Sequence, residues 1–247
     1  MRYIRSIVKR FTSRNLVLIY QYGKVGSTSL ANSIDGAVNV HDLYCNPICP
    51  SSFELRYSIL NRHVFFPLDR LFRRLLLKLR AEVTIVVPIR EPWSRNISMF
   101  FQDLPFWYVK HFQQFPVTQK QESLNLIKDI FLRSFEHNGP ENWFKNELMR
   151  LTGIDYRKLE FNKEDGYINV QNGRYRCLLI TTACLRSQSG KEVLEKFLDR
   201  NILIKDENRG NHKWYKAVYS EFLQDSEFVE CYKRKFNTSK VQTKFFK

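Results

Sequence analysis

Two short apolar runs set the frame of the chain. Leu16, Val17, Leu18, Ile19 and Tyr20 form the first and Val83 to Val87 the second. Each is nearly continuous rather than alternating, the pattern of a strand buried on both faces of a parallel sheet. Gly36 to His41 reads as a short strand beside the first, and Arg56 to Phe66 as carrying another that leads into Asn-Arg-His. Elsewhere the period is helical. Thr28 to Ile34 is a short helix. In Leu68 to Arg80, Leu71, Leu75, Leu76 and Leu79 make an inner stripe, with Arg70, Arg73, Arg74 and Lys78 on the wet face. Pro92, suited to a first turn, opens a helix to Gln102. Pro105 interrupts the aromatic-rich stretch from Phe100 to Pro116, which reads either as an acceptor-binding lid or as a cluster packed under a loop. Thr118 to Glu136 and Pro140 to Leu151 are helices closed by Asn138-Gly139 and Gly153. Asn172-Gly173 marks a hairpin in Tyr167 to Ile180, whose second arm continues as a late strand over Cys177 to Thr181. Helices follow over Ser187 to Asp199 and from Lys213 to near Arg234. This alternation predicts an α/β fold of three layers around a mainly parallel sheet of about five strands. The 247 residues suit one domain, with residues 1–14 a basic arm.

Between the first strand and its helix lies Gly23-Lys24-Val25-Gly26-Ser27-Thr28-Ser29. The glycines free the backbone to turn and to approach an anion, the hydroxyls and opening helix offer donors, and Lys24 brings a full charge. The order is not that of the triphosphate loop GxxxxGK[ST], because the lysine precedes the last glycine. By itself the loop reads equally as a phosphate-binding turn and as an ordinary strand-to-helix connection. The second run ends on Arg90, which a parallel sheet brings to the same crevice as Lys24.

Charge sharpens the picture. The chain carries 40 Lys and Arg against 25 Asp and Glu, a net of +15, so its field attracts polyanions: nucleic acid, anionic lipid, or a phosphorylated or sulfated small molecule. Five cysteines include Cys45 and Cys49, but no second CxxC or His pair completes a metal site, and unpaired thiols in a reducing compartment are expected. No run of eighteen apolar residues is present. The basic, weakly amphipathic amino terminus reads as a leading helix or an arm, and could rest on an anionic membrane surface.

Taken together, the Lys24 to Ser29 loop and Arg90-Glu91-Pro92-Trp93-Ser94-Arg95-Asn96-Ile97-Ser98, an R-x-P-x-x-R-x-x-S pattern, resemble the paired signature of sulfotransferases that use 3′-phosphoadenosine 5′-phosphosulfate (PAPS). A third segment, Asp206 to Phe222, resembles the carboxyl-terminal part that closes over the donor in cytosolic members. It is closer still to the N-x-G-x-x-K-W-Y segment of a bacterial-type branch associated with capsular polysaccharide synthesis. The resemblance implies that Gly23, Lys24, Val25, Gly26, Ser27, Thr28 and Ser29 hold the 5′-phosphosulfate, and that Arg90 and Ser98 hold the 3′-phosphate, with Arg209 covering it. It implies Lys24 as the residue that neutralises the leaving oxygen, and His63 or His41 as the base, or else both as structural side chains. It further implies no metal requirement and a saccharide or glycoconjugate acceptor rather than nucleic acid; the thiols and the basic amino terminus add the expectation of a cytoplasmic, optionally membrane-peripheral, location. Two other classes stay open: a P-loop nucleotide or sugar kinase, and a non-catalytic polyanion-binding module.

Overall fold

A computed structural model describes residues 2–44, 57–111, 113, 120–203 and 213–247. Its strands are β1 (Val17–Tyr20), β2 (Ala37–Val40), β3 (Val83–Ile89), β4 (Tyr167–Asn172) and β5 (Tyr175–Thr181). They form one sheet in the order β2-β1-β3-β5-β4. β1 pairs in parallel with β2 and β3, and β3 in parallel with β5, while β4 closes one edge as the antiparallel arm of the hairpin turning at Gly173. The expected α/β architecture with a mainly parallel sheet is therefore present.

Both faces of the sheet are covered, as the unbroken apolar runs require. The helices in the first half are α1 (Arg2–Phe11), α2 (Ser27–Ser33), α3 (Phe66–Lys78), α4 (Pro92–Gln102), α5 (Leu104–His111) and α6 (Lys120–Ser134). Next come α7 (Gly139–Trp143) and α8 (Met149–Thr152), joined by a π-helical turn over Phe144–Leu148. The rest are α9 (Thr182–Leu185), α10 (Gln188–Leu198), α11 (Lys216–Gln224), α12 (Ser226–Lys235) and α13 (Lys240–Phe245). Leu18 and Tyr20 of β1 point to one face, against Ile7 and Phe11 of α1 and Leu76 and Leu77 of α3. Val17 and Ile19 point to the other, against Leu30, Leu194 and Phe197. This is the two-residue alternation of a strand.

A third core stands apart from the sheet. Phe100, Phe101 and Trp107 pack with Phe131, Phe222 and Tyr232, so that α4 and α5 meet α6, α11 and α12. Of the two readings of the aromatic stretch, packing describes these three residues. Pro105 does break the helix, but only briefly: the chain turns at Asp103 and α5 restarts with the proline in its first turn, where no amide is missed. The single helix expected from Lys213 onward is likewise two, because the Asp225 carboxylate accepts from the Phe228 amide and caps α12.

Two expectations are corrected. Residues 61–65, expected near a strand end, form a π-helical turn running directly into α3. The α3 stripe is also turned over: Leu71, Leu75 and Leu79 are exposed, and only Leu76 and Leu77 of that helix are buried. Its arginines face the protein instead. Arg70 pairs with Asp42, Arg73 lies 2.8 Å from Asp69 and 5.7 Å from the centre of the Phe11 ring, and Arg74 lies 4.8 Å over Tyr44. Of the two readings of the amino terminus, the leading helix is present: α1 buries Ile7 and Phe11 in the core.

Candidate functional site

The loop after β1 is held in a conformation that costs energy. Gly23, Lys24 and Gly26 all have positive φ, at 84°, 62° and 75°. For Lys24 the left-handed region costs about 1–2 kcal/mol. At Gly23 a side chain would be strained by the backbone angle and would also stand 3.5 Å from Arg95 Nη2.

Arg95 opposes that cost. It is fully buried on α4 and donates from Nη2 to the Tyr22 carbonyl at 2.6 Å and from Nε to the Gly23 carbonyl at 3.4 Å. Its Nη1 donates to Asn96 Oδ1 at 3.0 Å. From below, the side-chain oxygen Oε1 of buried Gln21 accepts from the Gly23 amide. The Gln21 amide nitrogen donates to Asn39 Oδ1 at 3.1 Å and stands 2.9 Å from His41 Nδ1. Asn39 in turn donates to Ser27 Oγ at 3.1 Å, tying β2 to the start of α2. The ends of β1 and β2 and the loop between β1 and α2 thus form one polar unit.

Lys24 and Arg90 meet over this unit. Arg90 Nη1 donates to the Lys24 carbonyl at 3.0 Å, and its Nε and Nη2 donate to Ser94 Oγ at 3.1 and 2.7 Å. Its backbone is fixed as well, with the Arg90 amide donating to the Tyr22 hydroxyl at 2.8 Å. Lys24 Nζ donates to Gln102 Oε1 at 3.0 Å. Among the described residues neither cation forms an ion pair with a carboxylate. Burial pushes the Lys24 ammonium down to about 8, helped by the charges of Lys213 and Arg90 and opposed by Asp103. Burial lowers Arg90 too, opposed by Tyr219, through its charge and as acceptor of a bond from Arg90, while the charge of Arg186 adds to the lowering. Like charges are concentrated where the parallel strands end, the place where an open α/β sheet receives a ligand.

The remaining expected residues fall in different places. Val25 is buried in the core and Ser27 in the loop network, whereas Gly26 and Thr28 are exposed and Ser29 is partly so. Gly26 caps α2 without a side-chain acceptor on the first turn. Ser98 is half-buried one turn beyond Ser94 on α4, and it is Ser94 that holds the Arg90 guanidinium. His41 is brought to the loop by its position after β2. Desolvation, with Arg95 adding, pushes its imidazole down to about 4, although the residue as a whole is exposed, which tempers the desolvation. His63 is exposed on the π-helical turn, with no hydrogen bond to the loop among the described residues. Arg209, Cys45 and Cys49 lie outside the described residues.

Sequence reasoning did not assign Arg95, Ser94, Gln21 or Asn39 a part. Arg95 and Ser94 stood within the Arg90 to Ser98 pattern, and Gln21 directly follows the first apolar run, so adjacency to the named residues was the available signal. Lys213 and Tyr219 stood within the Asp206 to Phe222 segment, whereas Arg186 carries no local signal, since only folding brings it to Arg90. No family model, no curated protein and no solved structure matches this chain.

Proposed function

We propose that the chain is a sulfotransferase, moving a sulfuryl group from PAPS to a hydroxyl of a saccharide or glycoconjugate. The observation that carries this reading is the convergence of Lys24 and Arg90, from the ends of two adjacent parallel strands, on a loop with three positive φ angles. Cations crowded together without carboxylate partners among the described residues repel one another, and a polyanion relieves that repulsion. The loop is then a phosphate-binding turn whose order of residues differs from that of the triphosphate loops.

In this reading the amides of Gly26 to Ser29 and the Ser27 to Ser29 hydroxyls receive the 5′-phosphosulfate, and the planar guanidinium of Arg90 receives the 3′-phosphate. Transfer is an in-line attack of the acceptor oxygen on sulfur. The sulfur–oxygen bond to the 5′-phosphate breaks, negative charge builds on the oxygen that leaves, and the Lys24 ammonium neutralises it. Because Lys24 releases its Gln102 partner at little cost, it can follow that oxygen. The acceptor proton passes to His41, whose low proton affinity keeps it neutral at pH 7, the state a general base requires. To accept it, Nδ1 gives up its contact with the Gln21 amide.

The test is transfer of sulfur label from PAPS to a panel of saccharides and glycoconjugates by the wild type, His41→Ala and His63→Ala. The expected result is label on a glycan hydroxyl, a rate lower by about 100-fold in His41→Ala, and an unchanged rate in His63→Ala. No transfer to any acceptor, together with transfer of phosphoryl label from ATP, would overturn the reading in favour of a kinase.

A further inference from the structure

The overturned stripe of α3 has no partner in the described fold. Leu60, Val64, Leu68, Leu71, Leu75 and Leu79 recur every three or four residues from the turn ahead of α3 to just beyond its end, and all are exposed, Leu68 by 57% and Leu79 by 82%. Such spacing keeps side chains on one side of a helix. Single exposed leucines are ordinary, whereas an aligned row of six is an interaction surface. The helix that carries the row is firmly seated, since Leu76 and Leu77 are buried on the sheet and Arg70, Arg73 and Arg74 engage the protein.

α1 lies alongside and is bound to α3 at the same end. The Tyr3 hydroxyl donates to Asp69 at 3.3 Å, and Arg73 donates to that hydroxyl at 3.3 Å. α1 adds Ile4 to the exposed apolar surface and brings exposed Arg5, Lys9 and Arg10, while Lys78 is exposed on α3. An apolar ridge and exposed cations on one pair of joined helices is the composition of a surface that lies in the interface of a bilayer.

We propose that α1 and the α3 ridge dock the protein on an anionic membrane surface, the leucines entering the boundary of the acyl chains and the flanking cations meeting acidic headgroups. Charge selects this occupant. A second copy of the chain, itself carrying +15, would set Arg5, Lys9 and Arg10 against a like-charged surface, whereas an anionic bilayer attracts each nearby cation. α3 descends to the start of β3 through Leu79 to Glu82, so its opening turn lies toward the end of the sheet where Lys24 and Arg90 meet. The ridge therefore reaches the side from which an acceptor anchored in that membrane would approach. The docking inference stands independently of the donor reading.

The test is co-sedimentation of the full chain with vesicles of phosphatidylcholine alone and of phosphatidylcholine mixed with phosphatidylglycerol. Wild type is expected to bind the mixed vesicles at least about tenfold more tightly, and to weaken as salt is raised. The variant Leu68→Ser/Leu71→Ser/Leu75→Ser should lose about tenfold or more on the mixed vesicles with its melting temperature unchanged or raised. Arg5→Glu/Lys9→Glu/Arg10→Glu should lose the preference for phosphatidylglycerol. Absence of wild-type binding to either vesicle would overturn the proposal. So would undiminished binding by the leucine variant, which would assign the affinity to diffuse charge. A lipid-free dimer abolished by the same leucine changes would assign the ridge to a second copy and overturn it equally.

Discussion

The two helices that flank β3 use arginine in opposite ways. On α4, Arg95 is fully enclosed and spends its donors on the carbonyls of Tyr22 and Gly23, while Phe100 and Phe101 of the same helix pack into the aromatic core. On α3 the arginines stay partly solvated at the inner edges of the helix and the leucines are turned out. The difference lies in what each helix has to satisfy. Beside α4 lies a strained loop with carbonyls to be paired, and a buried cation that accepts that task is held by several charge-assisted bonds. Beside α3 lie Asp42 and the rings of Phe11 and Tyr44, which draw guanidinium groups inward and leave the leucine row outside. An amphipathic helix announces two faces; its neighbours decide which one is covered.

The sharpest way to break this contrast is at the α4 side. Arg90→Ala or Lys24→Ala should lower sulfuryl transfer by about 100-fold or more while the circular dichroism spectrum stays that of the wild type; rates near wild type would remove both residues from the site. Arg95→Met comes next. Losing bonds from a charged donor to two buried carbonyls should cost about 3 kcal/mol of stability, seen as a fall of roughly 10 °C in melting temperature, and donor affinity should fall with it. A variant that melted normally and bound normally would show that the loop holds its own shape.

The pH dependence sharpens the account of Lys24. Its ammonium titrates at about 8 in the folded chain, below its ordinary value of 10.5. Affinity for a polyanion should therefore be constant below pH 8 and fall by up to about tenfold per unit above it as the charge is lost. Stability runs the other way. The folded state holds fewer protons than the unfolded one between about 8 and 10.5, so the cost of the buried charge is fully present below 8 and disappears as the pH rises through that window. Lys24→Met should accordingly be at least as stable as wild type at pH 7 and inactive. The smallest effect belongs to α3: Arg73→Met should cost only about 1 kcal/mol or less, because its Asp69 partner can turn to water. A loss as large as that in Arg95→Met would erase the distinction between the two helices.

Much of the sheet was legible because continuous apolar runs and the Asn172-Gly173 turn are local signals, and β1, β3 and the β4-β5 hairpin lie where those signals stand. The nearness of Lys24 and Arg90 was legible for a related reason: each follows such a run, and parallel pairing of β1 with β3 brings the ends together. The orientation of α3 was not, because both of its faces satisfy a helical period and residues distant in sequence, such as Asp42, Phe11 and Tyr44, separate them. Residues 61–65 misled through their β-branched and aromatic content, which a π-helical turn running into α3 accommodates as well. The pairing of Arg90 with Ser94 was not legible either, because it depends on where the guanidinium turns to reach the Lys24 carbonyl, a contact across two elements.

The most direct test of the central claim is calorimetric titration of the protein with adenosine 3′,5′-bisphosphate, with ATP and magnesium as the comparison. The account predicts tight binding of the bisphosphate in the absence of metal, lost in Arg90→Ala and weakened above pH 8. Binding of ATP with magnesium and not of the bisphosphate, or of neither, would contradict it.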